Sequence, residues 1–451
     1  MMRIGLAATV ISMLALADAR DIAAQAKASP SRALAAQVDA YVAPLVDLQV
    51  FSGTILTARG ESVLLERSYG LADAEHGIPV RAGDVFRIAS ISKSFTKGVI
   101  GRLLDKHVVR LDDSLSRWWP TIPSASRITV RMIVEHRSGI PNVNSLPYDE
   151  EALEPNTLAH LVDSIMRKPL DFEPGTRTRY SNGGYAVLAR IIELATDRPY
   201  ASVLASELLE PLHLTHTRHS ADGMIVERLA RGYAPSPESF GHLEVAPFQE
   251  MNTKAGGGSL VSSARDLLIW ARAIGRSPLL TSSSWAALFP GSDSTFVFTG
   301  RCPGYNVVLH HDRRRDATTI VLVNNYAAGM VAEVAEGVAA LARGDAPKAL
   351  PVGKPARADT SAQRMLAGTY SLPAGALPVP PGTTVELRVS GDHLVVYLGA
   401  VPVDVLVPQG PHTYLARALW SMIEAPAQGA DSLNVRALYR DQSFHALRVR
   451  Q

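Results

Sequence analysis

Residues 86–97 read Phe-Arg-Ile-Ala-Ser-Ile-Ser-Lys-Ser-Phe-Thr-Lys, in which Ser90 precedes Lys93 by three positions. Apolar side chains then recur with helical spacing, at Phe95, Val99, Ile100, Leu103 and Leu104. Residues three apart share a helix face, so we expect Ser90 to open a helix with the Lys93 amine near its hydroxyl. A lysine can take the proton of a serine where burial or nearby charge lowers its pKa. The pattern predicts a nucleophile and a base on one turn, where N-terminal N–H groups face a developing oxyanion.

This motif alone also fits an N-cap serine followed by a solvated lysine, so the rest of the chain must decide. The chain has 451 residues and a net charge of +2, with acidic and basic residues interspersed, which does not indicate a nucleic-acid-binding surface. Its single cysteine, Cys302, excludes an internal disulfide and a thiolate metal site. For this length we expect two domains preceded by a processed segment.

The first residues have the pattern of a secretory signal peptide. Arg3 precedes a short apolar run from Ile4 to Leu16, and small-x-small cleavage sites follow at residues 17–19 and 24–26. We predict a signal peptide over residues 1–26 and a periplasmic or secreted bacterial protein, with no stable membrane insertion after its removal. An uncleaved anchor is the alternative, although the apolar run is short for a spanning helix.

Two differently patterned regions follow. Helical and strand-like segments alternate over residues 30–343, which predicts one mixed α/β domain. Residues 344–360 are rich in Pro, Ala, Gly and Lys without an apolar period, which predicts a linker. Beyond it Val385, Leu387 and Val389 alternate with polar residues, and turn residues recur, so residues 361–451 should form a small all-β domain.

Two further polar motifs occur in the larger region. Tyr180-Ser181-Asn182 follows a Pro-Gly turn and precedes a helical pattern, so we place Tyr180 and Asn182 on a loop that faces a cleft. Phe298-Thr299-Gly300 ends a strand-like segment from Phe296, and a turn at residues 302–304 leads to the next strand, from Tyr305 to His310.

Together these motifs resemble those of the penicillin-recognising serine enzymes, which carry S-x-x-K, a second polar triplet and K-T-G or a relative on a strand. The Tyr-Ser-Asn form is similar to that of class C β-lactamases, D-alanyl-D-alanine carboxypeptidases and their esterase relatives. The resemblance covers most of residues 35–345, including Phe51–Thr54, Tyr69–Ala72, Glu135–Pro141, Glu173–Gly175 and Gly256–Gly258.

The resemblance implies an α/β (α+β) fold, with an antiparallel sheet flanked by helices, a helical lobe and an appended lipocalin-like domain. His136 matches a buried structural histidine of the family, so we expect it to serve packing. A metal or an organic cofactor is not implied, and the expected substrate is a small molecule or a peptide.

The resemblance also implies roles for individual residues. Ser90 would attack a carbonyl and become acylated, and Lys93 would help to deprotonate it. Tyr180, as phenol or phenolate, would relay the proton and later activate water. Asn182 would bind a substrate amide or hold Lys93. The oxyanion would lie between the backbone N–H groups of Ser90 and Arg301, the residue that follows Thr299 and Gly300.

The sequence departs from the family pattern at Phe298, where the family usually has a lysine or histidine that meets a substrate carboxylate or tunes the tyrosine. The segment between Trp285 and Phe298 is also short, as if one strand were missing. The site could be adapted to substrates without a carboxylate, Lys97 or Arg87 could replace the cation, or this edge could be damaged. The sequence therefore predicts a serine hydrolase of esters, D-amino-acid peptides or β-lactams, and as the alternative an impaired member that binds peptide or cell wall.

Overall fold

The computed structural model describes residues 31–143, 157–220, 224–237, 242–291, 294–325, 330–357, 359–374, 382–426, 431–438 and 442–449. The predicted signal peptide, residues 1–26, lies outside these ranges. A search of the described helices finds none with the length and apolar character needed to cross a membrane.

The described α-helices are α1 (31–47), α2 (Ser92–Asp105), α3 (Val130–Val134), α4 (Leu158–Arg167), α5 (Asn182–Thr196), α6 (Tyr200–Leu204), α7 (Ala264–Ala273), α8 (Ser282–Leu288), α9 (Val331–Arg343) and α10 (Thr360–Leu366). Short 3₁₀ turns cover Ala89–Ile91, Leu115–Arg117, Pro123–Arg127 and Asn252–Lys254, and a π-helical turn covers Ala205–Leu209.

The strands of the larger domain are β1 (Gly53–Arg59), β2 (Ser62–Tyr69), β3 (Leu71–Asp73), β4 (Ile78–Pro79), β5 (Val85–Arg87), β6 (Arg218–His219), β7 (Tyr233–Pro235), β8 (Leu243–Val245), β9 (Leu260–Ser263), β10 (Thr295–Cys302), β11 (Tyr305–Asp312) and β12 (Ala317–Val323). Those that follow are β13 (Gly368–Ser371), β14 (Thr384–Ser390), β15 (His393–Leu398), β16 (Val401–Gly410), β17 (Thr413–Ala416), β18 (Ser421–Glu424), β19 (Ser432–Ala437) and β20 (Gln442–Arg448).

The larger domain is built on a five-stranded antiparallel sheet in the order β10-β11-β12-β1-β2. Successive strand residues point to opposite faces, and both faces here are apolar. Ile320 and Leu322 of β12 pack into a core that also contains residues of α2, α5 and α7. Val321 and Val323 pack on the other face with residues of α1 and α9. The predicted sheet between two helical layers is confirmed.

The predicted all-β domain is also confirmed. Strands β13 to β20 close into an eight-stranded antiparallel barrel. Residues 345–357 before it form neither helix nor strand. The barrel interior is filled by alternate apolar residues, among them Leu387, Leu394 and Leu406.

One helix is shorter in the structure than its apolar sequence pattern predicts. The sequence favours a helix from Ile128 to His136, but α3 spans Val130–Val134. Thr129 caps α3 by accepting the N–H of Met132, and His136 adopts a left-handed φ of 57° just beyond its end. The chain therefore turns at His136 toward the loop that precedes α5.

A close contact joins α1 and α9 on the outer face of the sheet. Gly337 of α9 lies against the ring of Tyr41 in α1, and a Cβ atom at residue 337 would overlap the Tyr41 hydroxyl. That hydroxyl also donates to the carbonyl of Lys348 at 3.2 Å. A larger residue at position 337 would therefore have to displace the Tyr41 ring.

We expect Gly337→Ala to lower the free energy of unfolding by up to about 2 kcal/mol in urea denaturation. Overpacking typically costs about 1–3 kcal/mol, which should exceed the gain of about 1 kcal/mol from alanine's helix propensity. The matched control is Glu336→Ala, an exposed position on the same helix, which should change stability by less than about 0.5 kcal/mol. A Gly337→Ala variant more stable than the wild type would contradict this contact.

Candidate active site

Ser90, Lys93, Tyr180 and Asn182 meet in one hydrogen-bonded cluster, although they come from two distant parts of the chain. The Ser90 hydroxyl lies 2.6 Å from the Tyr180 hydroxyl and 3.1 Å from Nζ of Lys93. Nζ of Lys93 donates to Oδ1 of Asn182 at 2.7 Å, and the Tyr180 hydroxyl donates to the same oxygen at 3.0 Å. The structure thus brings together the serine, lysine, tyrosine and asparagine named from the sequence.

Ser90 stands in the 3₁₀ turn Ala89–Ile91, and α2 begins two residues later at Ser92. The prediction that Ser90 opens the α-helix itself was therefore slightly wrong. The physical reason is an i→i+3 hydrogen bond, from the N–H of Ile91 to the carbonyl of Ile88 at 3.1 Å, which makes this turn 3₁₀, and Ala89 within it has a left-handed φ of 44°. The turn connects β5 to α2, and the Ser92 hydroxyl at the start of α2 accepts the N–H of Leu260 at 3.1 Å, which anchors this end of the helix.

Lys93 is the most deeply buried ionisable group of the cluster, with 7% of its surface exposed. Besides Ser90 and Asn182, Nζ of Lys93 contacts the carbonyl oxygen of Gly257 at 2.7 Å. Burial in this site lowers the pKa of Lys93 to about 7, because desolvation disfavours the charged ammonium. Near neutral pH a large fraction of Lys93 is therefore an uncharged amine.

The three partners of Lys93 match the hydrogen-bonding capacity of that uncharged amine. The oxygens of Gly257 and Asn182 can only accept, so they use the two N–H bonds of the neutral amine. The lone pair is left for the third partner, the Ser90 hydroxyl, which can donate. The lone pair of the Lys93 amine is therefore directed at the proton of the Ser90 hydroxyl.

Tyr180 lies at the mouth of the cluster, with 46% of its surface exposed. Desolvation raises the pKa of Tyr180, and the hydrogen bond to Ser90 opposes that shift only in part. Of the two forms that the family resemblance leaves open, the phenol is therefore the resting form near neutral pH. The phenol has one proton: while Tyr180 donates to Asn182, the Ser90 hydroxyl donates to Tyr180, and when Ser90 donates to Lys93 the phenol donates to Ser90 instead.

The side chain of His136 packs against Tyr180 and stabilises its position. Its ring packs against those of Tyr180 and Tyr185, with centroid distances of 4.9 and 5.0 Å. Burial, with the neighbouring charges of Lys93 and Lys97, lowers the pKa of His136 to about 4, so the ring is neutral at pH 7. Its Nδ1 accepts the N–H of Ser181 at 3.2 Å, which fixes the backbone between Tyr180 and Asn182.

Asn182 is the first residue of α5, whereas the sequence placed it on the preceding loop. The N-cap is Ser181, whose hydroxyl accepts the N–H of Gly184 at 3.0 Å. The N–H of Asn182 donates to Oδ1 of Asn142 at 2.9 Å. Sequence reasoning gave Asn142 no role and included Gly257 only within the run Gly256–Gly258 that resembles the family, because a backbone carbonyl and a loop asparagine leave no spacing pattern.

β10 brings Thr299, Gly300 and Arg301 alongside the serine. A Cβ atom at Gly300 would overlap the carbonyl of Ile88 and lie 3.1 Å from the backbone nitrogen of Ser90. Only glycine allows this approach. Gly300 therefore lets β10 lie directly against the backbone of Ser90, where the family resemblance places the oxyanion.

Phe298 turns inward from β10, on the same face as Gly300, while the side chains of Thr299 and Arg301 are exposed. Its ring packs against Phe296 and Phe289, with centroid distances of 5.1 and 6.5 Å. Only residues 289–294 connect α8 to β10. β10 lies at the edge of the sheet, so no described strand precedes it there, as the short segment between Trp285 and Phe298 led us to expect. Residues 292 and 293 of this connection lie outside the described residues.

Comparison with known proteins identifies the class of this domain. A sequence profile of the Beta-lactamase family matches residues 38–343, and the chain belongs to that family. The D-amino acid amidase from Ochrobactrum anthropi SV3 is a similar solved structure, with a TM-score of 0.59 and 25% identity, covering 69% of this chain and 97% of the amidase chain.

Curated relatives match over shorter stretches. Penicillin-binding protein 4* of Bacillus subtilis is 29% identical over 253 residues, which cover 53% of this chain and 55% of that protein. Teichoic acid D-alanine hydrolase of Staphylococcus aureus is 26% identical over 185 residues, covering 41% of this chain and 45% of the hydrolase. The chain spans about half the length of these curated relatives.

The lowered pKa of Lys93 predicts how the reactivity of Ser90 depends on pH. Only the unprotonated amine can accept the serine proton, so the rate of reaction with a fluorophosphonate should rise about tenfold per pH unit below pH 7. It should level off above about pH 7, where Lys93 is neutral. Stopped-time mass spectrometry of the adduct measures this profile.

Lys93→Met is the control, and its residual rate should show no inflection near pH 7. A wild-type rate that keeps rising to pH 10 would contradict a neutral Lys93 as the resting base.

Proposed function

We propose that the protein is a serine hydrolase that works by acyl transfer through an acyl-enzyme on Ser90. The observation that supports this best is the set of hydrogen bonds around Lys93, which leaves a neutral amine aimed at the Ser90 hydroxyl. A structural lysine would gain nothing from burial without a carboxylate partner, because desolvation of an ammonium costs free energy.

In the acylation step Ser90 Oγ attacks the substrate carbonyl carbon while its proton passes to Nζ of Lys93. The carbonyl oxygen becomes negative between the N–H groups of Ser90 and Arg301, where each donor is typically worth about 2.7–4 kcal/mol of the barrier. Collapse of this intermediate breaks the bond to the leaving group, which takes the proton from Lys93 through Tyr180.

In the deacylation step a water molecule attacks the Ser90 ester. Tyr180 and Lys93 take the proton of the water and return one to Ser90 Oγ, which releases the carboxylic acid. Oδ1 of Asn182 lies within hydrogen-bond distance of both Lys93 and Tyr180 and so keeps the two groups beside Ser90. A metal is not needed in this sequence of steps.

The substrate is an ester, a D-amino-acid peptide or amide, or a β-lactam. Two similar proteins are named for D-amino acid chemistry, a teichoic acid D-alanine hydrolase and a D-amino acid amidase, which supports a D-aminoacyl group as the acyl part. We further propose export to the periplasm or the exterior, because residues 1–26 have the pattern of a signal peptide.

A second candidate is a binding protein that keeps the cleft but turns over slowly. Phe298 favours it, because a phenylalanine cannot pair with a substrate carboxylate as a lysine or histidine would. The intact cluster of Ser90, Lys93, Tyr180 and Asn182 favours the enzyme.

The deciding experiment is intact-mass analysis of the mature protein after incubation with a fluorophosphonate and, separately, with a labelled penicillin. We expect a single adduct that is absent from Ser90→Ala, since Ser90 is the activated nucleophile. Ser116→Ala serves as the matched control, because that serine lies in a distant 3₁₀ turn and should leave labelling unchanged.

An adduct that survives in Ser90→Ala would contradict the assignment of the nucleophile. A folded wild-type protein that reacts with neither probe would support the binding protein instead.

A further inference from the structure

Residues 255–259 form the glycine loop, whose Gly257 carbonyl accepts from Nζ of Lys93 at 2.7 Å. Glycine adopts a wider range of φ and ψ than other residues, so a run of glycines does not by itself hold a carbonyl in one direction. The direction must come from hydrogen bonds between the loop backbone and its surroundings. Those that hold the peptide group before Gly257 involve two residues that the proposed reaction leaves without a role.

The peptide group between Gly256 and Gly257 is held at both ends. Its carbonyl accepts from the hydroxyl of Thr96 at 2.7 Å, and its N–H donates to the carbonyl of Lys254 at 3.1 Å. Thr96 follows Lys93 by three residues in α2, so the two side chains share a face of the helix. One turn of α2 therefore contacts two successive carbonyls of the loop, one through Thr96 and one through Lys93.

Thr96 is held in turn by Tyr200, the first residue of α6. The two hydroxyls are 2.9 Å apart, and both side chains are buried. The Gly256 carbonyl can only accept, so Thr96 gives its single proton to that carbonyl, and Tyr200 donates to Thr96. The hydrogen bonds therefore run one way, from Tyr200 through Thr96 to Gly256, and each strengthens the next.

The direction of the Gly257 carbonyl decides where the lone pair of Lys93 points. In the neutral amine the two N–H bonds are taken by Gly257 and Asn182, which leaves the lone pair for Ser90. If the Gly257 carbonyl turned away, one N–H bond would lose its acceptor, and the amine could rotate about its bond to Cε. The lone pair would then face Ser90 for only part of the time, while the lysine stayed buried.

We propose that Thr96 and Tyr200 are positioning residues of the active site, which hold the Gly256 carbonyl and through it direct the lone pair of Lys93 at Ser90. The inference rests on the proposed acyl transfer through Ser90 and extends it to two buried residues that none of its steps involves. Because these residues act through the loop, their loss should slow the chemical step without weakening the binding of a reagent.

The test is the pH dependence of labelling by a neutral fluorophosphonate in Thr96→Val, which keeps the shape of the side chain and removes its hydroxyl. The plateau of the rate above about pH 7 should fall about tenfold, because a misdirected base loses much of the advantage of orientation. The loss should lie in the maximal rate of inactivation and leave the half-saturating concentration of the reagent unchanged. The inflection near pH 7 should stay, since valine leaves Lys93 buried.

Three further variants separate positioning from general stability. Thr96→Ser keeps the hydroxyl and should retain most of the wild-type plateau. Tyr200→Phe removes only the donor to Thr96, so we expect a smaller loss, of about threefold. Thr57→Val is the matched control, because it removes another buried threonine hydroxyl, 3.3 Å from that of Thr319 in the central sheet, and should leave the labelling rate unchanged. Both valine variants should lose stability in urea, so the labelling rate is the measurement that decides.

A Thr96→Val protein that labels at the wild-type plateau would overturn the proposal, and so would an equal loss of rate in Thr57→Val. An inflection that moves toward pH 10.5 in Thr96→Val would also overturn it, because Thr96 would then act by keeping water away from Lys93. If Thr96→Val does not fold, Tyr200→Phe decides, and a wild-type rate in that variant overturns the proposal. A folded wild-type protein that takes no label would instead overturn the proposed function itself.

Discussion

The burial of one amine, that of Lys93, is the constraint on which the site depends. Its hydrogen-bond partners come from three separate places, the turn before α2, the first residue of α5 and the loop before β9. An ammonium would lose hydration there without gaining a counter-charge, so the fold favours the neutral amine. The packing that raises the free-energy cost of protonating Lys93 therefore also makes Lys93 a base for the neighbouring Ser90.

The scaffold holds this amine in place through contacts that leave little freedom. Thr96 of α2 donates to the carbonyl of Gly256 at 2.7 Å, and the ring of Phe95 stacks on Trp270 of α7 at 4.7 Å. Gly256 adopts a left-handed φ of 74° in direct contact with the backbone of Tyr185, so the loop that supplies the Gly257 carbonyl is locked against α5. The serine helix, α5 and the glycine loop thus form one packed unit, and β10 closes it through Gly300.

Much of this was predictable from the sequence, for physical reasons that differ from residue to residue. Ser90 and Lys93 are three positions apart, so their proximity is local, and the barrel strands follow from alternation of apolar residues. The approach of Tyr180 and Asn182 was inferred by resemblance, since no local pattern brings residues 90 positions away to a serine. The Gly257 carbonyl, Asn142 and the left-handed Ala89 were not predictable, because they arise from tertiary packing that leaves no residue-type pattern. The start of α5 at Asn182 was missed because Ser181 takes the capping role.

Ser90 can lose its proton to Lys93 only if Lys93 is an uncharged amine near neutral pH. The most direct test is NMR titration of the protein with ¹³C- and ¹⁵N-labelled lysine, with the Lys93 resonance assigned from its absence in Lys93→Met. We expect the Lys93 resonance to titrate with a midpoint at about pH 7, set apart from those of the exposed lysines. A Lys93 that titrates near 10.5, the ordinary value for lysine, would rule out this amine as the resting base, because it would then be a cation and the Ser90 hydroxyl would have no base beside it.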